Sequence, residues 1–484
     1  MQKVIDLQEQ AEIMAAIEQS DLEQFAHPES TNATLGGLLP DFDKEALTRG
    51  RFCPMPFEFA QVDPQGYLFG CCPAWLFAPL GNLRVQPFME AWNSTIAQRV
   101  RESILDGSFK FCNVLTCNAL SSGQLPRIEA LTDPAHLDIV RERKTVVQGP
   151  RELNLAYDLS CNLGCPSCRS TKIIAKGDSR AQVEAIHANV LSGNLDGLKR
   201  LHITGSGDPF VSRVYLDFLR TFDPSKHPDI RITLCTNGVL LTPQMWDTLC
   251  HPAIDTIDCS IDAATAETYA KNRGGNFTRL LDNLAFLGEK RRSGALENLR
   301  LHFVVQENNV DEMLDFIDLG ARVYADAVAF KQLQNWDSYD PDDYLRRAVQ
   351  FPTHPRHEEL LDVLDDPVFE SPMVWAGDLD YLAPEARIPF HSPCSNGRWK
   401  DWRRLAEHLY LSQDQVDNLL SLARSTRNEL ADLISEVPAP TGNANARAAE
   451  ALASSHQKFQ GQLTLHQQWL LSHIPFKIVE LELD

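Results

Sequence analysis

Cys161, Cys165 and Cys168 fall within eight residues, in the run Cys-Asn-Leu-Gly-Cys-Pro-Ser-Cys, separated by three residues and then two. Thiolates are soft ligands that select iron–sulfur clusters, zinc or copper. A closed 4Fe-4S cube takes a cysteine on every iron. Three cysteines in one tight loop leave the last iron open, free to bind a small molecule and pass it an electron. Gly164 relieves backbone crowding inside the loop, and Pro166 stiffens it. The competing reading is a zinc loop or three reduced thiols. Zinc sites favour paired Cys-x-x-Cys units roughly a dozen or more residues apart, whereas the next cysteine after Cys168 is Cys235.

A second group precedes the first. Cys53, Cys71, Cys112 and Cys117 are spread over residues 51–120. The run Phe57 to Phe69, with Asp63-Pro-Gln-Gly66 at its centre, predicts a β-hairpin that brings Cys53 and Cys71 to the same end. A helix is expected over Phe88–Leu105, then a loop bearing Cys112 and Cys117. Four thiols arriving from a hairpin and a loop can enclose a cluster fully; a zinc cage of all-cysteine ligands is the alternative. Cys72 is a substitute ligand, and Cys394 is either an extra ligand or an ordinary thiol.

Elements of alternating type must position these groups. Strand-like runs at Leu153–Tyr157, Leu198–Thr204, Ile230–Cys235, Thr256–Ile261, Leu299–Val305 and Ala327–Leu333 alternate with helical patterns such as Ala181–Leu191, Val211–Phe222, Phe277–Glu289 and Val310–Arg322. Such repeats predict an α/β fold, a parallel sheet curved as a partial (β/α)6 TIM-like barrel with its chemistry at the carboxyl ends of the strands. The first strand leads into the three-cysteine loop. The second leads into Gly205-Ser206-Gly207-Asp208, the third into Asn237, the fourth into Ser260-Ile-Asp262, and the fifth into Gln306.

A CxxxCxxC loop directly after a strand resembles the signature of the radical S-adenosylmethionine (radical SAM) superfamily. The resemblance implies that Cys161, Cys165 and Cys168 hold a SAM-binding 4Fe-4S cluster. There, reduction cleaves S-adenosyl-L-methionine and a 5′-deoxyadenosyl radical abstracts a substrate hydrogen. It further implies that Gly205, Ser206, Gly207 and Asp208, which resemble the family's GGEP motif with Asp in place of Glu, receive the SAM ammonium. Asn237, Ser260, Asp262, Arg273 and Gln306 are the remaining cofactor-binding residues so implied, with Arg273 facing a carboxylate. Ser167 stands where the family usually has an aromatic residue. The earlier group, with Trp92-Asn93, Arg101, Gly107 and a closing cysteine pair, is similar to a SPASM or twitch module. That likeness assigns Cys53, Cys71, Cys112 and Cys117 to an auxiliary 4Fe-4S cluster, although such a module normally follows the barrel.

Composition narrows the partners. The 484 residues carry 66 acidic and 45 basic groups, a net charge of −21. That disfavours nucleic acid and anionic membranes. No apolar run approaches the ~20 residues that span a bilayer, and the clustering of the 12 cysteines suits metal ligation in a reducing cytoplasm. The expected organisation is a helical arm over 1–50 (Val4 to Phe25), the auxiliary module over 51–150, the barrel over 151–335, a covering loop region over 336–397 and a helical C-terminal region over 398–484. Lys331 and Gln332 are candidates to face substrate, and His354 and His357 are either ligands or structural. Cys235, Cys250 and Cys259 read as core positions. The family likeness points to modification of a ribosomal peptide or protein by crosslinking, oxidation or epimerisation, with a reducing partner such as flavodoxin or ferredoxin. The alternatives are oxidation or epimerisation of a sugar or aminocyclitol, a non-catalytic zinc or iron–sulfur scaffold, and an electron carrier.

Overall fold

In a computed structural model of the chain, the described residues are 47–382 apart from 74, 77, 114–116, 122–123, 170, 194–196, 337 and 372, together with 412–435 and 451–463 apart from 452. The expected helix over Val4 to Phe25, Cys394 and the strand-like end at Ile478–Leu483 lie outside them. The described residues form two compact units, one drawn from residues 1–164 and 171–258, the other from residues 165–170 and 259–484.

In the first unit, β1 (Phe59–Val62), β2 (Tyr67–Phe69), β3 (Gly81–Asn82), β4 (Glu152–Leu155), β5 (Arg200–Ile203) and β6 (Arg231–Thr236) follow the order β6-β5-β4-β1-β2-β3. β4, β5 and β6 run parallel. The hairpin expected around residue 63 is present, with Val62 opposite Leu68. Asp63 holds its turn by accepting from the amides of Gln65 at 2.9 Å and Tyr67 at 2.8 Å, and Gly66 supplies the left-handed backbone at φ 83°. The hairpin is not a separate layer. β1 lies parallel to β4, pairing Ala60 with Leu153 and Val62 with Leu155, so hairpin and parallel strands share one sheet.

The expected single helix over Phe88–Leu105 is two helices, Phe88–Trp92 and Thr95–Leu105. The reason is local: the Ser94 hydroxyl accepts from the Ala97 amide at 3.2 Å, an N-cap that starts a new helix. The helix Asp178–Leu191 buries Val183, Ile186 and Val190 at helical spacing.

β7 (Ile254–Ser260) contributes residues 254–258 to the first unit and Cys259 and Ser260 to the second. In the second unit β8 (Asn298–Val305), β9 (Ala327–Gln332) and β10 (Val374–Trp375) run parallel. β8 alternates strictly, burying Leu299, Leu301, Phe303 and Val305. Phe303 meets Phe316 with ring centroids 4.7 Å apart and Phe330 at 5.5 Å, an aromatic core between strands and the helix Met313–Arg322. Each strand-like run from Leu153 to Leu333 is a strand, and helices intervene. The architecture is mixed α/β with a mostly parallel sheet. Among the described residues no helix is long and apolar enough to cross a membrane.

Candidate metal centres and cofactor site

The three-cysteine loop leaves the carboxyl end of β4. In the first unit, Cys161 is pinned by its backbone amide, which donates to the Ile173 carbonyl at 2.7 Å. The preceding residues are held from behind. Asp158, buried, accepts from the Ser212 hydroxyl at 2.6 Å and from the Ser160 amide at 2.8 Å, and Ser212 also caps the helix Arg213–Thr221. The Tyr215 hydroxyl accepts the amides of Tyr157 and Asp158, each at 3.1 Å. Rigid support of this kind fixes where a metal-binding loop starts.

Two of the expected cofactor loops meet Cys161 in this unit. Asn237, after β6, places its amide nitrogen 3.8 Å from the Cys161 sulfur and donates to Asn162 Oδ1 at 2.9 Å. Asp208 is fully engaged within the protein: one oxygen accepts from the Thr236 hydroxyl at 2.7 Å and the Asn237 amide at 2.9 Å, the other from the Phe210 amide at 3.0 Å. Burial raises its carboxyl above the usual range against the pull of those donors. Asp208 thus ties the loop after β5 to the loop after β6. The amides of Ser206 and Gly207 turn back onto Thr204 Oγ1 at 3.0 and 3.2 Å. Gly207 is required by space, since a Cβ there would stand 2.4 Å from the Asp158 carbonyl oxygen and 2.6 Å from that of Ser160. Gly205 has no such neighbour, with the nearest atom 4.0 Å away.

In the second unit, Cys165 and Cys168 form a turn, the Cys168 amide donating to the Cys165 carbonyl at 2.9 Å. Arg273 sits beside Cys165, with Nη1 3.7 Å from its sulfur, and forms an ion pair of 2.6 Å with Asp262. Burial pushes the Cys165 thiol up, and the Arg273 charge opposes it. Asp262 is 1% exposed, at φ 60°. Its other oxygen accepts the Val304 amide at 2.8 Å, and its carbonyl accepts the amides of Asn272 and Asn309, each at 3.0 Å. Ser260, half-buried, ends β7. Gln306, 2% exposed, lines a cavity of about 280 Å³ together with Ser167, Asn272, Asn308, Tyr339 and Arg347.

The auxiliary cysteines gather in the first unit. The Cys71 thiol lies within electrostatic reach of Cys53, Cys112 and Cys117, and burial followed by those thiols raises it well above the ordinary range. Cys53 is pushed up to about 12 by burial. Four thiolates crowded in a buried space repel one another, and bound cations are what would let them ionise together. That donor set fits an iron–sulfur cluster. Among the described residues no three His, Cys, Asp or Glu side chains close on one point as the ligands of a single ion do; the cysteines of a cube each bind a different iron.

Arg101, unassigned by its sequence position beyond a motif match, is the clasp of this module. Fully buried, it donates to the carbonyls of Pro56, Trp92 and Thr145 at 2.8 to 2.9 Å and to Asn93 Oδ1 at 2.9 Å, with its guanidinium 4.5 Å over the Trp92 ring. His354 and His357 are structural: His354 Nε2 meets the Arg346 carbonyl at 2.8 Å and His357 Nδ1 the Val349 carbonyl at 2.9 Å. Cys250 and Cys259 are buried. Cys235 is half-buried rather than core, its sulfur 3.9 Å from Asp258 Oδ2. Lys331 is exposed and Gln332 half-buried at the end of β9. Sequence reasoning does not single out Tyr339, Arg347 or Asn308, although the adjacent Asn308-Asn309 pair after a strand is a readable loop signal.

Residues 159–320 match the radical SAM superfamily, and residues 53–118 match SPASM, an iron–sulfur cluster-binding domain. The mycofactocin maturase MftC of Mycolicibacterium smegmatis is 27% identical over 192 residues, covering 38% of this chain and 45% of that protein. The AdoMet-dependent heme synthase of Methanosarcina barkeri is 26% identical over 211 residues, covering 42% and 57%. The chain spans about half the length of these curated relatives. Among solved structures, Streptococcus suis SuiB bound to precursor peptide SuiA aligns over 49% of this chain and 53% of its own, at 16% identity and a TM-score of 0.31.

Proposed function

We propose that this chain, which carries a radical SAM domain with its 4Fe-4S cluster and S-adenosylmethionine and a SPASM domain with an auxiliary iron–sulfur cluster, is an enzyme that removes a hydrogen atom from a peptide or protein substrate. The observation that carries the reading is the anchored loop of Cys161, Cys165 and Cys168 after β4, joined in one chain to the gathered set of Cys53, Cys71, Cys112 and Cys117.

Cys161, Cys165 and Cys168 hold the first cluster in this reading, and the four earlier cysteines the second. When bound, a cluster with one open iron supplies the electron that splits SAM reductively. The chain's own residues position the cofactor. Asn237 fixes the Cys161 side of the loop. Asp208 orders the Gly205–Gly207 turn, so that the backbone carbonyls there can receive the SAM ammonium. Arg273, already oriented by Asp262, offers its remaining donors to the methionyl carboxylate with Ser260, in the planar geometry that suits carboxylates. Gln306 faces the nucleoside. The substrate class rests on the match of residues 53–118 to SPASM, a module that the sequence resemblance associates with enzymes modifying ribosomal peptides, with crosslinking, oxidation or epimerisation as the outcome.

The test is iron and sulfide content after anaerobic reconstitution, comparing wild type with Cys161→Ala/Cys165→Ala/Cys168→Ala. About eight irons are expected to fall to about four, since each cube holds four, with loss of SAM cleavage in the variant. Stoichiometric zinc and little iron in both proteins would overturn the reading.

A further inference from the structure

In the first unit an extended strap lies along the start of the three-cysteine loop. Ile173 pairs antiparallel with Cys161. The Cys161 amide donates to the Ile173 carbonyl at 2.7 Å, and the Ala175 amide donates to Ser160 Oγ at 2.9 Å. A Cβ on Gly164 would stand 3.4 Å from the Thr171 carbonyl carbon and 3.6 Å from the Lys172 nitrogen. Lys176 closes the strap, its amide donating to Ser179 Oγ at 3.0 Å and its carbonyl accepting from that hydroxyl at 2.9 Å. Burial alternates along it as along a strand. Ile173 and Ala175 are half-buried, while Lys172, Ile174 and Lys176 are exposed, Ile174 by 54%. The exposed side chains are thus cation, apolar, cation. The chain carries 66 acidic residues and a net charge of −21, yet none of those acids falls from Leu159 to Gly177. Other lysines of this unit are matched to acids: Lys144 to Glu142, Lys199 to Asp229 and Lys226 to Asp223. Lys172 and Lys176 form no ion pair among the described residues. Asp178 is the next acid along the chain and opens the helix Asp178–Leu191, and Arg180 beyond it is taken by Glu184 at 2.8 Å.

At Cys161 the cover is one extended segment thick, and that segment is hydrogen-bonded straight to the cysteine. A chain of this net charge repels an acidic protein over most of its surface, so a local cationic face steers such a partner to one place. Electron-transfer encounters need little area, below about 1,200 Å², and a short strap with an apolar centre between two cations supplies a contact of that kind. We infer that the face of Lys172, Ile174 and Lys176 is the docking surface for a small acidic protein that carries one electron at a time. The two lysines meet its carboxylates and Ile174 its apolar centre. In the step that follows, the carrier is oxidised by one electron and the cluster is reduced by one; no bond forms or breaks. The inference rests on the radical SAM reading, in which the cluster on Cys161, Cys165 and Cys168 needs an electron to split SAM.

The anaerobically reconstituted full chain is titrated calorimetrically with two acidic carriers, oxidised flavodoxin and oxidised ferredoxin, so that binding is read with no electron moving. SAM cleavage is measured separately with the reduced carrier and with dithionite. Wild type is expected to bind a carrier, and more weakly as ionic strength rises. Lys172→Glu/Lys176→Glu should weaken that binding about tenfold or more at low salt and slow carrier-driven cleavage by a similar factor. Lys172→Arg/Lys176→Arg should bind as wild type does, which separates charge from folding. Ile174→Ser should weaken binding without altering its salt dependence, as loss of an apolar contact does. Dithionite, which needs no docking, should drive cleavage in every variant at the wild-type rate. Binding of neither carrier to wild type, binding insensitive to salt, or equal binding to Lys172→Glu/Lys176→Glu overturns the docking face. A dithionite rate that falls together with the carrier-driven rate overturns it too, since the strap then serves the cysteine loop and not a partner. Carrier binding as expected, with no SAM cleavage by wild type under either reductant, would sink the radical SAM reading instead and leave the acidic-partner face standing.

Discussion

Arg273 is shared between Asp262, which it meets at 2.6 Å, and the Cys165 sulfur, 3.7 Å from its other terminal nitrogen. Asp262 is 1% exposed, so the pair holds a buried carboxylate in place beside the turn of Cys165 and Cys168. Arg273→Gln removes the cation and leaves that charge uncompensated. Such truncations cost about 3–5 kcal/mol. Urea unfolding should show a loss of that size, and Asp262→Asn/Arg273→Gln should recover part of it. A single-variant loss below about 1 kcal/mol, the range of exposed pairs, would show that the pair contributes no more than a surface contact.

The two glycines of the loop after β5 separate space from mobility. A methyl at Gly207 meets the backbone oxygens of Asp158 and Ser160 at 2.4 and 2.6 Å, while one at Gly205 has 4.0 Å of clearance. The contacts at Gly207 are backbone, so the loop itself must shift. Gly207→Ala is therefore expected to weaken SAM binding by about tenfold or more, the scale on which misplacement of a positioning loop acts. Gly205→Ala should stay within about twofold of wild type. Calorimetric SAM titration of both variants decides this, and equal effects would show that the crowding at Gly207 is relieved without consequence.

What could be read from the chain alone was local. Thiol spacing at residues 161–168, strand and helix periodicity from Leu153 to Leu333, and the turn at Asp63 each leave their mark within a few neighbouring residues. The break between Phe88–Trp92 and Thr95–Leu105 had its signal in Asn93-Ser94, overridden by the longer apolar pattern around it. The contacts that spacing does not announce act at long range. Asp208 secures Thr236, 28 residues away, and Ser338 reaches Ser167 across 171. Nothing in spacing announces that Tyr339 and Arg347 will share a cavity with Gln306, nor that Arg101 will gather carbonyls from three separate stretches. Those proximities are made by the packing of strands and helices.

Asp63 gives the hairpin a pH dependence. Burial raises its carboxyl from 3.8 to about 6, despite the amides of Tyr67, Gln65 and Gly66. Between those two values the folded chain keeps a proton that the unfolded chain releases. Stability contributed at this site therefore falls as pH rises from about 4 to about 6, and is constant above. Asp63→Asn preserves an acceptor for the turn and abolishes the titration. Its stability relative to wild type should rise by about 2 kcal/mol across that window, read from urea unfolding at pH 4 and pH 7. A difference that does not change with pH would show that Asp63 is solvated in solution.

Arg101 links the fold of the auxiliary module to its metal. Its Nε holds the Pro56 carbonyl at 2.8 Å, on the short helix Met55–Glu58 that follows Cys53 and Pro54. The other donors lock Trp92, Asn93 and Thr145. Removing the guanidinium leaves several buried carbonyls unmatched, each carrying about 1–3 kcal/mol of desolvation penalty. The helix after Cys53 is then free to move, and the Cys53 thiol is no longer held beside Cys71 and Cys117. Arg101→Gln should accordingly lose about four irons of about eight, the content of one cube, while the cluster on Cys161, Cys165 and Cys168 and its SAM binding persist. Arg101→Lys, which keeps the charge without the planar fork, should lose them too. Full iron content in both variants would show that Cys53 is placed by the hairpin alone.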